Sequence, residues 1–304
     1  MRFEHPRIRH LLIVGVLGGL TAACSPGSKE ARALRAECDD GSVVACQKFG
    51  EKLARGEYVL RDEARAAALF QRACDGGIGD GCGSLGVLHL RGTGVAPDST
   101  KAIALFEQGC DKGGMEACMR LATLYRRGAR VQHDDVKAAA LFTRACDGGS
   151  LTACAGLGEL YATGAGVAQD YARATQLLQR TCDSTASEGC LALGRLYASG
   201  TGVQRNDSTA AELFRRSCNG DDPAGCLAFA IVVEAGKGIS QNFQRAARNY
   251  STACDRNLGE ACYRLAGLMD RGIWGGPHAA DEMRRRGCEL GHRPACLPRR
   301  TPVL

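Results

Sequence analysis

Sixteen of the chain's seventeen cysteines stand in eight pairs, and the two members of every pair are eight residues apart. The pairs are Cys38/Cys46, Cys74/Cys82, Cys110/Cys118, Cys146/Cys154, Cys182/Cys190, Cys218/Cys226, Cys254/Cys262 and Cys288/Cys296. First members recur every 36 residues until the last step, Cys254 to Cys288, which is two shorter. A fixed period of this length belongs to a stack of repeats, in which each unit contacts only its neighbours. It rules out a fold built around one central core.

The residues between the cysteines keep the same register. Three after the second cysteine comes Phe49, Leu85, Leu121, Leu157, Leu193, Phe229 or Leu265, and four after it a glycine or alanine. Further apolar residues follow at six or seven, such as Leu160 and Tyr161. Apolar positions at 0, 3, 4 and 7 make one face of a helix. Ten after the cysteine stands Gly56, Gly92, Gly128, Gly164, Gly200, Gly236 or Gly272, where a helix ends on a left-handed cap. Sixteen after it stands Asp62, Asp98, Asp134, Asp170, Asn206 or Asn242, each an N-cap for a second helix. That helix carries Ala66, Ala102, Ala138, Ala174, Ala210 or Ala246, with Phe70, Phe106, Phe142, Leu178, Phe214 or Tyr250 four later and the next cysteine four later again. The pattern predicts an all-α fold, an α/α solenoid of about seven helix hairpins.

Each cysteine pair then joins the end of one helix to the start of the next, across turns such as Asp75–Gly81 and Asp147–Ala153. Such a corner is tight enough for a disulfide. The pairing expected is local, within each eight-residue pair. A bridge closing so short a loop contributes about 2.5 kcal/mol on chain-entropy grounds. Buried free thiols and metal sites are the competing readings. Zinc sites use closer cysteine spacing with clustered histidines, whereas His89, His133, His278 and His292 are scattered and C-x-x-C is absent from the sequence. No metal or cofactor is expected.

The segments ACAGLGELYATGAGV at 153–167 and AALFTRACDGG at 139–149 resemble the Sel1-like repeat family, in its disulfide-rich Helicobacter cysteine-rich protein branch. The match extends over residues about 30–296. The resemblance implies a right-handed superhelix of stacked helix pairs with a concave binding face. It also implies an activity, since some members of the branch bind penicillin and hydrolyse β-lactams slowly. The last repeat departs from the pattern, with a shortened loop at 275–277, and is expected to cap the stack.

Ahead of the repeats, Arg2, Arg7 and Arg9 precede the apolar run LLIVGVLGGL at 11–20. A basic start, a short apolar core and small residues before Cys24 read as a secretory signal. Leu20 to Cys24, LTAAC, resembles a lipobox, which makes Cys24 the lipidation site. Ser25 rather than an aspartate follows it, which favours the outer membrane facing the periplasm, with plain secretion as the alternative. The expected organisation is a signal peptide at 1–23, a linker at 24–29, the solenoid at 30–297 and a tail at 298–304. Export also suits an even cysteine framework, because disulfides persist in oxidising compartments.

The net charge of +6 is mild for 304 residues, and aromatics are only 5 % of the chain. That is poor material for stacking bases, so no nucleic-acid partner is expected. Hydrolase motifs with a serine and its base are absent from the sequence. One G-x-G-x-x-G, Gly81 to Gly86, contains a framework cysteine and no strand precedes it, so the repeat pattern accounts for its glycines. Nine after the repeat cysteine lie Arg55, Arg91, Arg127, Thr163, Ser199, Ala235 and Arg271. Arg55, Arg91 and Arg127 would form a stripe able to bind carboxylates or phosphates. The plainer reading is that each cation suits the C-terminus of its own helix. Arg72, Arg144, Arg180 and Arg216, near the ends of second helices, take that reading more strongly.

The function expected is a monomeric, non-catalytic scaffold that presents a peptide, protein or peptidoglycan-derived ligand site. The alternative is a penicillin-binding protein with weak β-lactamase activity.

Overall fold

The computed structural model describes residues 26–184 and 187–297. The signal peptide, Cys24 and the tail at 298–304 lie outside the described residues.

Fifteen α-helices are found among the described residues. They are α1 (Pro26–Asp39), α2 (Val43–Arg55), α3 (Glu63–Asp75), α4 (Gly79–Arg91), α5 (Ser99–Asp111), α6 (Met115–Arg127), α7 (Asp135–Asp147) and α8 (Leu151–Thr163). Then follow α9 (Tyr171–Asp183), α10 (Ser187–Ser199), α11 (Asp207–Asn219), α12 (Pro223–Ala235), α13 (Phe243–Asp255), α14 (Gly259–Asp270), α15 (Pro277–Glu289) and a 3-10 turn, Arg293–Cys296. The helices pack as sequential hairpins, and the fold is an all-α solenoid. Two compact units divide the chain, one up to Ala117 and one from Cys118 on. In the first unit α1 packs on α2, α2 on α3, α3 on α4 and α4 on α5. In the second the same succession runs from α7 through α15, which closes on the 3-10 turn.

The helix ends follow from the side chains at them. Asp62, Asp98, Asp134, Asp170, Asn206 and Asn242 each accept a bond from the backbone N–H three residues on, at 2.8 to 3.0 Å. Each satisfies a donor the first helical turn would otherwise leave unpaired. Gly56, Gly92, Gly164 and Gly236 end α2, α4, α8 and α12 with φ between 67° and 74°. The six alanines from Ala66 to Ala246 and the aromatic or leucine residues four beyond them are buried. Burying such an aromatic or leucine contributes roughly 1.5–3 kcal/mol.

Seven disulfides close corners between consecutive helices, with Cα–Cα distances of 4.2 to 4.8 Å. They join Cys38 to Cys46, Cys74 to Cys82, Cys146 to Cys154, Cys182 to Cys190, Cys218 to Cys226, Cys254 to Cys262 and Cys288 to Cys296. Cys110 and Cys118 are disulfide-bonded as well. The free-thiol reading of these cysteines therefore falls.

The corners are tighter than the sequence reading made them. Seven-residue turns such as Asp75–Gly81 were expected, with the second cysteine at the helix start. Instead α4 begins at Gly79 and α8 at Leu151, so three residues separate each from the helix before it. Cys46, Cys82, Cys154, Cys190, Cys226 and Cys262 each stand fourth in their helices, a full turn inside α2, α4, α8, α10, α12 and α14. All six are buried. The physical reason is reach: the first cysteine of each pair is the last residue but one of its helix, and only a partner one turn in comes level with it across so short a turn. The final bridge differs, because Cys296 stands in the 3-10 turn rather than in an α-helix.

Two further local expectations change. Residues 26–29, read as linker, form the first turn of α1, because Pro26 suits an N-terminal helical position. Gly81, read as the end of a turn, lies inside α4 together with Gly86. A Cβ at Gly81 would meet Ala73 and Cys74, and one at Gly86 would meet Phe106, so both let helices approach closely.

Candidate ligand groove

The interhelical loops at Gly94, Gly166, Gly202 and Gly238 lean on the start of the second helix of the repeat before. A Cβ on Gly94 would strike the backbone of Glu63, and one on Gly238 that of Asp207, so those loops have room for glycine alone, whereas the same position of the α6–α7 loop holds Arg130 at φ 67°. In the α2–α3 loop the equivalent residue is Tyr58, held at φ 61°, a region bulky residues rarely enter. No full repeat precedes it. Its ring lies against Gly27 in the first turn of α1, where an added Cβ would overlap it.

Beside Tyr58 lies a groove of about 1040 Å³ in the first unit, between α1, α2 and the start of α3. Ala31, Phe49 and Leu53 form a buried apolar floor. Tyr58 and Leu60 make the exposed wall, with Leu60 92 % exposed. Four guanidiniums stand around it, those of Arg32, Arg35, Arg61 and Arg65.

The two carboxylates lining the groove are already committed. Asp62 caps α3 through the Arg65 N–H, at 2.9 Å. Glu63 pairs with Arg61. The Arg65 guanidinium lies 5.5 Å from the centre of the Phe49 ring, a cation–π contact that holds it over the floor. Arg32 donates from Nε to the Ser28 carbonyl at 3.2 Å. Arg35 reaches Asp39 only at 3.7 Å with both side chains exposed, so solvent screens that pair. The groove therefore combines an apolar floor with an excess of positive charge.

The arginines singled out from the sequence lie elsewhere. Arg55 ends α2, Arg91 ends α4 and Arg127 ends α6, and all three are exposed. Among the described residues none of them makes an ion pair, and none lines this groove.

Seven segments match the Sel1 repeat: residues 50–78, 80–114, 116–150, 151–185, 187–222, 227–258 and 259–282. The chain belongs to the Sel1 repeat family. It is similar in structure to a protective antigen present in uropathogenic Escherichia coli strains that displays an SLR fold. Identity there is 26 % and the TM-score 0.62, over 87 % of this chain and 57 % of that one, so this chain spans little more than half the antigen's length. A Sel1 repeat protein from Oxalobacter formigenes matches over 91 % of this chain and 82 % of its own, with 23 % identity and a TM-score of 0.63. Helicobacter pylori cysteine rich protein B matches over 44 % of this chain and 97 % of its own, with 27 % identity and a TM-score of 0.36. No curated protein matches the sequence.

Within this Sel1 repeat chain, the groove residues Arg32, Arg35, Tyr58, Leu60, Arg61 and Arg65 were missed by the sequence reading. One signal could have found them. Tyr58, like Arg130, stands where Gly94, Gly166, Gly202 and Gly238 stand in sibling repeats.

Proposed function

We propose that this Sel1 repeat chain is a non-catalytic scaffold of the bacterial cell envelope. The groove of the first unit takes a peptide, or a peptide-bearing cell-wall fragment, that carries a carboxylate beside an apolar side chain. The observation that carries this reading is the pairing of the Phe49–Leu53 floor with four guanidiniums. The apolar side chain would bury on the floor, and the carboxylate would accept charge-assisted bonds from Arg61 or Arg65. Sixteen disulfide-bonded cysteines support an oxidising, extracytoplasmic setting. The lipobox at Leu20–Cys24 makes the proposed location the outer membrane, facing the periplasm. Cys24→Ser should release the protein from the membrane fraction or leave it unprocessed.

The β-lactamase alternative needs a serine that can reach substrate and is activated by a base. Ser42 and Ser150 cap α2 and α8. Ser217 donates to Asp222 at 2.8 Å but is fully buried, so no acyl group can reach it. Ser251 donates to Asp255 at 3.5 Å, too long for a close nucleophile–base pair, so none of these four serines is both accessible and held by a base, which favours the scaffold. Nitrocefin turnover by the purified protein separates the two readings: the scaffold predicts none above background. The groove itself is tested by titrating an acidic, leucine-containing peptide, whose affinity should fall as salt rises.

A further inference from the structure

The repeats act as internal controls for one another. Four residues before the first cysteine of a pair, five repeats place Phe70, Phe106, Phe142, Leu178 and Phe214, all buried. The sixth places Tyr250, which is 0 % exposed. A phenylalanine would fill the site equally well, and a buried hydroxyl is costly unless it is hydrogen-bonded. The Tyr250 O–H donates to Glu234 Oε2 at 2.6 Å. Burial, and then the Glu234 carboxylate, hold the phenol well above its usual pKa, so it remains a donor.

Glu234 lies in the last turn of α12, where sibling repeats place Ala54, Leu90, Arg126, Ala162, Ala198 and Asp270. Its second oxygen, Oε1, faces Arg271 Nη1 at 3.5 Å. Arg271 stacks over Phe243, 4.6 Å from the ring centre. Arg264 on α14, where sibling repeats place Lys48, Ser84, Arg120, Gly156, Ala192 and Ala228, donates from Nε to Glu260 at 2.8 Å. Glu234, Arg264, Arg271, Phe243 and Ile231 line one pocket of about 450 Å³ in the second unit.

The pocket holds charges of both signs beside an apolar wall. A purely anionic ligand would meet Glu234, and a purely cationic one would meet two guanidiniums. We infer that the pocket binds a small zwitterion of the α-amino-acid type with an apolar side chain: its ammonium on Glu234, its carboxylate on Arg264 and Arg271, and its side chain against Phe243 and Ile231. A free amino acid or a dipeptide fits a pocket of this size. Tyr250 is a positioning residue that fixes the Glu234 carboxylate from the core. This site is separate from the groove of the first unit and does not depend on that reading.

The test is isothermal titration of the full mature chain with leucine, phenylalanine and leucyl-leucine. N-acetyl-leucine and leucine amide serve as probes with one charge removed. At least one zwitterion should bind, and each blocked probe should bind about tenfold more weakly or worse, as loss of one charge-assisted interaction requires. Preference for leucyl-leucine would identify a peptide source, and preference for leucine a free amino acid. Glu234→Gln should abolish the preference for a free ammonium. Tyr250→Phe restores the sibling residue, so circular dichroism should show the wild-type fold while zwitterion affinity falls several-fold. Absence of binding at millimolar concentration, equal binding of the blocked probes, or unchanged affinity in a folded Glu234→Gln or Tyr250→Phe chain would each overturn the site.

Discussion

Arg216 Nη2 lies 2.8 Å from the carbonyl oxygen of Cys182, 34 residues earlier in the chain. The guanidinium thus caps the C-terminus of α9 from α11, one repeat on. It also lies 3.4 Å from Asp183 Oδ1. Related contacts recur within both units. Lys112 Nζ donates to the Cys74 carbonyl at 2.6 Å. Arg180 Nη2 lies 2.7 Å from Cys154 Sγ and 3.3 Å from Cys146 Sγ. Arg256 pairs with Asp221, and Arg286 Nη1 reaches Asp255 Oδ1 at 3.2 Å. These cations couple one repeat corner to the next. Arg216→Ala should cost about 1 kcal/mol, because its bond is charge-assisted but partly exposed. Urea unfolding measures this, and an unchanged midpoint would show that the contact contributes nothing.

Disulfide removal should act more strongly. Replacing Cys146 and Cys154 together by serine should cost about 2–3 kcal/mol through the released loop. Proteolysis without reductant should yield short, sequentially local linked peptides. Links between distant repeats would contradict the corner geometry.

The helix caps give a graded expectation. Asp98→Ala removes the acceptor for the Lys101 N–H and should cost about 1 kcal/mol, while Asp98→Asn should be close to neutral. Equal losses in thermal melts would mean that charge, not the hydrogen bond, matters there.

Acid stability follows from carboxylates held below their usual pKa. The backbone bond from Lys137 lowers Asp134, Arg205 lowers Asp207, and Arg215 lowers Glu212. A carboxylate depressed in the folded state stabilises above its unfolded value, here 3.8 for Asp and 4.5 for Glu, and loses that contribution as pH falls through its folded value. The melting temperature should therefore fall as pH drops below about 4.5, with these groups contributing nothing to its change between pH 6 and 8. A melting temperature that rose on acidification below pH 4 would contradict the assignment.

Much of the fold was legible because the signal repeats. A single Asp62 is a weak cue for a helix start, but six Asp or Asn residues in register with a periodic glycine and a periodic cysteine are not. The pairing of Cys82 with Cys74 was legible for that reason, while the depth of Cys82 inside α4 was not, because Gly79 and Gly81 read as turn residues until a neighbouring helix is packed against them. The candidate sites were less legible because they lie where the repeats disagree. Tyr58 replaces a loop glycine and Tyr250 replaces a core phenylalanine, and a reading built on agreement passes over both. The arginines Arg180 and Arg216 were misread in another way. Sequence places them at the ends of their own helices, whereas their guanidiniums reach the preceding repeat, a relation visible only once the hairpins are stacked. Arg55, Arg91 and Arg127 repeat in register and stand exposed at the ends of α2, α4 and α6.

The most direct test of the scaffold reading is a fluorescence-anisotropy titration of a labelled acidic, leucine-containing peptide against three chains: wild type, Arg61→Glu/Arg65→Glu, and Arg55→Ala/Arg91→Ala/Arg127→Ala. Glutamate is well tolerated beside the N-terminus of α3, so the first variant should fold normally. The groove account predicts saturable binding by wild type, a loss of about tenfold or more in the charge-reversed chain, and little change in the alanine chain. Absence of binding by wild type, or a loss confined to the Arg55, Arg91 and Arg127 variant, would contradict it.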